Sequence, residues 1–64
     1  MIIVTRLNKK RFILNAELIK TVEKTPDTLI TLTTGDKLLV LETMEEVVER
    51  AVEYGRVIRT FQVQ

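Results

Sequence analysis

The sequence predicts an α+β fold, a small antiparallel sheet of four to five strands built from hairpins and followed by one C-terminal α-helix. Three observations predict it: period-two runs of β-formers fill the chain up to Glu42, turn-forming residues punctuate those runs, and the apolar period changes to 3.6 after Thr43. With 64 residues, 45% of them hydrophobic and 30% charged, the chain is composed like one folded domain rather than a disordered segment.

The first strand spans about residues 2–7, where "IIVTRL" sets Ile2, Val4 and Arg6 on one face and Ile3, Thr5 and Leu7 on the other. Asn8 and Lys9 read as a tight turn, since Asn tolerates positive φ, and "RFIL" at about 11–14 is the returning strand. "NAELI" fits one helical turn capped by Asn15, and "IKTVEK" at about 19–24 alternates as a strand. Pro26 and Asp27 suit the central positions of a turn into "TLITLT" at about 28–33. Gly35 then supplies a left-handed residue before "KLLVLE" at about 37–42.

The helix is expected over about 44–54. Thr43 with Glu46 three residues on forms a capping box, and Met44, Val47, Val48, Ala51 and Val52 form an apolar stripe. Gly55 is the expected C-terminal cap. The tail at 56–64 alternates as a strand would, with Val57, Arg59, Phe61 and Val63 on one side, and equally permits the helix to continue. Both strands of the 28–42 hairpin are apolar on two faces, Leu39 and Leu41 opposing Leu38 and Val40. One face is expected beneath the helix, the other against a second polypeptide.

Composition closes most chemistry. Cys and His are absent, so disulfides, thiol catalysis and the usual zinc ligands are excluded, and no Ser is present for a hydroxyl triad. Two glycines twenty residues apart build no phosphate-cradling loop. Glu42 and Glu46, or Glu45 and Glu49, lie four apart, yet acids at a helix start are favoured by its dipole and read as a solvated face. No enzyme activity, cofactor or metal is expected. A domain this small hides only about 60% of its unfolded surface, and self-association is the remaining staple.

Net charge is +1, but Arg6, Lys9, Lys10 and Arg11 meet no acid in the first sixteen residues, while Glu42, Glu45, Glu46, Glu49 and Glu53 follow later against Arg50 alone. The basic cluster with Phe12 suits phosphate contacts and a stacked base, but it more readily suits a soluble turn whose lysines discourage strand pairing. No apolar run approaches the roughly 20 residues of a membrane span, and the charges of "MIIVTRLNKKRF" follow its apolar residues, so a cytoplasmic location is expected.

"MIIVTRLN", the "F.LN..LI" pattern from Phe12 to Ile19, "TPDTLITL" from Thr25, Gly35, and "E..EEV" followed by Glu53 and Tyr54 resemble, in order and over nearly the whole chain, the small FlbD-type flagellar proteins, whose swarming-motility members are called SwrD. The resemblance implies a cytoplasmic, non-enzymatic protein supporting motility, with Thr5, Arg6, Leu7, Asn8, Asn15, Pro26, Asp27, Thr28 and Gly35 as motif positions. The family often carries Gly after that Asn, where this chain has Lys9. Arg6, a long cation on an apolar strand, is expected to pair with a carboxylate or to face a partner. "MIIVTR" alone is similar to the opening of the dimeric RNA-binding regulators of the carbon storage type, which makes RNA binding through the first hairpin the alternative function. The expected interaction residues are Thr5, Arg6, Asn8, Lys9, Lys10, Arg11, Leu39 and Leu41, with the chain itself or flagellar motor or assembly proteins as partners.

Overall fold

A computed structural model describes the backbone of residues 1–62 and the side chains of residues 1–56. In order it contains β1 (Ile2–Thr5), β2 (Arg11–Leu14), a 3-10 turn (Ala16–Leu18), β3 (Ile19–Lys24), β4 (Thr28–Leu32), β5 (Lys37–Val40) and α1 (Met44–Gln62). The class is α+β with five strands, but the strands form two antiparallel sheets, β1-β2 and β3-β4-β5, rather than the single sheet expected. β1 and β5 meet at one bridge, Arg6 with Val40, beside a 2.8 Å hydrogen bond from the Leu41 N–H to the Thr5 carbonyl. Past that point β1 turns at Leu7 and β5 ends, so no ladder develops.

Alternation decides what is buried. Ile2, Val4, Leu14, Ile30, Leu32, Val40 and Val47 are buried and form the core, with Phe12, Ala16, Ile19, Val22, Leu38 and Tyr54 packed against it. The inner face of β4-β5 thus shares a core with the helix, although α1 rests chiefly on β1 and β3. Asn15 accepts from the Glu17 N–H at 3.0 Å, opening the short helical turn before β3. The three residues Thr25, Pro26 and Asp27 join β3 to β4, the Thr25 N–H donating to the Asp27 carbonyl at 2.9 Å.

The capping box forms as reciprocal bonds, Glu46 N–H to Thr43 Oγ1 at 3.1 Å and Thr43 N–H to Glu46 Oε1 at 2.8 Å. Two helix expectations are corrected. The helix runs through Gly55 to Gln62 instead of ending at a cap near Tyr54, and positive φ among the glycines is confined to Gly35. A helical glycine costs about 1 kcal/mol, and neither a proline nor a competing cap follows to turn that cost into a stop. The stripe also divides: Val47 is buried and Met44, Ala51 and Tyr54 are half-buried, whereas Val48 and Val52 are exposed. Residues 56–62 are therefore helical, while the expected facing of Val57, Arg59, Phe61 and Val63 lies outside the described side chains.

Candidate interaction surface

The first hairpin presents the basic residues through a specific turn. The Lys9 N–H donates to the Arg6 carbonyl at 2.9 Å and the Arg6 N–H to the Lys10 carbonyl at 2.8 Å, a loop of Leu7, Asn8 and Lys9 whose last residue has φ 72°. Asn8 does not take the positive φ. Its Oδ1 accepts the Lys10 N–H at 3.0 Å instead, leaving the left-handed position to Lys9. Arg6, Lys9, Lys10 and Arg11 are all exposed around this loop. The Arg6 guanidinium lies 4.2 Å from the centroid of the half-buried Phe12 ring and covers that ring face, and among the described residues no carboxylate pairs with it.

Thr5 has a different task. In an antiparallel pair alternate residues direct their backbone groups to the partner strand. Since Arg6 bonds to Lys10, the backbones of Ile2 and Val4 turn toward β2 and those of Ile3 and Thr5 toward the other edge. Side chains cover that edge. Glu42 Oε1 accepts the Thr5 N–H and Oε2 the Thr5 hydroxyl, both at 2.8 Å, while Arg50 Nη1 donates to the Ile3 carbonyl at 2.6 Å and to Glu42 Oε2 at 3.2 Å. Burial of the Glu42 carboxyl raises its pKa; the Thr5 backbone and hydroxyl, its own N–H and Arg50 together outweigh that and hold it below the ordinary carboxylate range. The backbone and side chain of Thr43 likewise hold exposed Glu46 low. Sequence reading missed this latch of Thr5, Glu42 and Arg50. Its signal was a single cation within an acidic helix start.

Leu39 on the outer face of β5 and Leu41 just past its end are 43% and 52% exposed. Leu39 pairs with half-buried Leu29. Continuing the register of the Arg6–Val40 bridge sets Leu7, itself exposed, across from Leu39. An aliphatic strip therefore borders the basic loop: the structure gathers Arg6, Leu39 and Leu41 at the junction of the two sheets. Arg11 lies apart, beside a groove between the first hairpin and α1. Pro26 and Asp27 lie in the loop joining β3 to β4, and Gly35, with φ 95°, in the loop joining β4 to β5.

Among the described residues no group of three or more acids is arranged to hold a metal ion, and no helix is long and apolar enough to cross a membrane. A family model described as flagellar and swarming motility proteins, FlbD, matches residues 1–59. The chain belongs to the FlbD family. No curated protein and no solved structure matches it. For this FlbD family member a flagellar or swarming role follows from the family. The strands, turns and helix start all fall within the matched residues.

Proposed function

We propose that this FlbD family member is a non-enzymatic cytoplasmic adaptor that supports flagellar motility by binding protein through the outer face of β5. The exposure of Leu39 and Leu41 beside Leu7 carries the reading, because large aliphatic side chains grouped together on a surface are the usual mark of a partner site. Covering what remains of each leucine is worth about 1–2 kcal/mol. Lys9 and Lys10, exposed on the loop that begins at Leu7, supply cations near one end of the strip, which in this reading steer an acidic partner and fix its register more than they add affinity. In this reading the partner is a flagellar motor or assembly protein. Glu42 and Glu46 are engaged in structural hydrogen bonds, which leaves them poor general acids or bases.

The RNA-binding alternative keeps one favourable observation, four exposed cations around a single loop. The two readings separate in a swarming assay. Leu39→Glu combined with Leu41→Glu should abolish swarming while the fold and its stability stay intact, the positions being exposed, and Lys9→Glu with Lys10→Glu should weaken it modestly. Loss of swarming and of salt-sensitive RNA affinity with the lysine pair, and normal swarming with the leucine pair, would establish the RNA reading instead.

A further inference from the structure

We infer that the groove between the first hairpin and α1 is a self-association surface, in which a second copy of this chain seats about a twofold axis with Arg11 of each copy against Glu49 of the other. The groove is open, about 820 Å³, with Met1, Ile3 and Tyr54 along it, Arg11 of β2 on one wall and Glu49, Arg50 and Glu53 of α1 on the other, Arg50 being paired with Glu42. Its apolar strip continues past Arg11 to Ile13, the cross-strand partner of Ile3 and, at 69% exposure, the most exposed large aliphatic residue of the described chain. Ile3 and Ile13 lie directly opposite on the outer face of the hairpin, where a cross-strand pair presents one continuous patch.

Charge identifies the occupant. A twofold interface is self-complementary, so a group on one wall must fit the opposite wall of the same surface. An unpaired cation on one side, an unpaired anion on the other and aliphatic groups between satisfy that condition within a single sequence. Arg11 and Glu49 line the same groove, yet neither has an ion-pair partner among the described residues. Glu53 is already engaged by Arg56 at 3.4 Å. A second copy supplies each unpaired charge with its opposite and covers Met1, Ile3 and Ile13 in the same step. A small anion or cation fits less well, because the walls carry both signs and the part-buried Glu42 carboxylate that lines the space is already engaged by Thr5 and Arg50. A 64-residue chain without Cys or His also has the most to gain from association. This surface is separate from Leu39 and Leu41 and stands whether or not the adaptor reading does.

Sedimentation equilibrium of the full chain, with circular dichroism to check folding, tests the inference. The wild type should be a dimer that weakens as salt is added. Arg11→Glu and Glu49→Arg should each weaken association at least tenfold, and both the double variant and an equimolar mixture of the two single variants should recover it. Leu39→Glu with Leu41→Glu should leave the dimer unchanged. A wild type that stays monomeric at millimolar concentration, or a dimer indifferent to both charge reversals, would overturn the proposal; so would single-variant losses that neither recombination restores.

Discussion

The first and last hairpins close with the same backbone turn and differ in what holds them. Arg6 and Lys10 bracket one loop of three residues, Leu32 and Asp36 the other, and both show the same two bonds: third loop residue N–H to the bracketing carbonyl at 2.9 Å, and bracketing N–H to bracketing carbonyl at 2.8 Å. The third loop residue is left-handed in each, Lys9 at φ 72° and Gly35 at φ 95°. Even the middle residue plays a corresponding part, Asn8 accepting the Lys10 N–H at 3.0 Å and Thr34 the Asp36 N–H at 3.5 Å. Hydrogen-bond geometry, not residue preference, thus sets the backbone. Where lysine stands in glycine's place, the chain tolerates strain of about 1 kcal/mol. The strands beyond the turns differ further. β4 lies between β3 and β5 and is bonded by backbone on both sides, whereas the outer edge of β1 has one backbone bond, from the Leu41 N–H to the Thr5 carbonyl, and otherwise depends on the side chains of Glu42 and Arg50.

Removing the latch should break the comparison most. Glu42→Ala leaves the Thr5 N–H and hydroxyl and one Arg50 contact unmatched, and should cost about 3 kcal/mol in urea unfolding. Acid should act on the same point more gently. Because the folded-state pKa of Glu42 is depressed, its contribution is complete above the unfolded-state pKa and is lost as pH falls through the folded value. Exchange protection of the Thr5 amide, corrected for intrinsic rate, should therefore decline at a higher pH than that of Ile30 or Leu32 within β4.

At the turns the effects are smaller and opposite in sign. Gly35→Val should destabilise by about 2 kcal/mol through backbone strain alone, since a Cβ built there meets nothing within 4 Å. Lys9→Gly should stabilise by about 1 kcal/mol, read as a raised urea midpoint at constant m, and Gly35→Lys should forfeit a similar amount. The smallest difference lies between the middle residues: Asn8→Ala and Thr34→Ala should each cost about 0.5–1 kcal/mol, the first losing the bond from the Lys10 N–H and the second the longer contact from the Asp36 N–H together with the hydroxyl's donation to Asp36 Oδ2.

Local chemistry was legible in the sequence. The turn at Gly35, the loop of Pro26 and Asp27, and the box of Thr43 and Glu46 each depend on neighbours within a few residues, and the structure contains all of them. The α+β class was legible for the same reason, since the two apolar periods are properties of short windows. The division into two sheets was not, because it arises when a carboxylate 37 residues from Thr5 takes the place of a strand at the β1 edge. The course past Gly55 stayed open between helix and strand in the sequence, and it is helical because a glycine raises the cost of a helix without ending it. Of the expected interaction residues, the exposure of Leu39 and Leu41 followed from alternation alone, but the engagement of Thr5 by Glu42 and the stacking of Arg6 on Phe12 required the tertiary arrangement. The groove at Arg11 was hidden likewise: its walls are far apart in sequence.

The claim that another protein covers the outer face of β5 is tested most directly by placing a photoreactive side chain at position 39 or 41 in swarming cells, with Glu17, exposed on the 3-10 turn, as the comparison site. A discrete adduct to one flagellar protein from positions 39 and 41, absent from position 17, is the expected result. Unrestricted swarming with no adduct from either leucine position, or the same adducts from position 17, would contradict it.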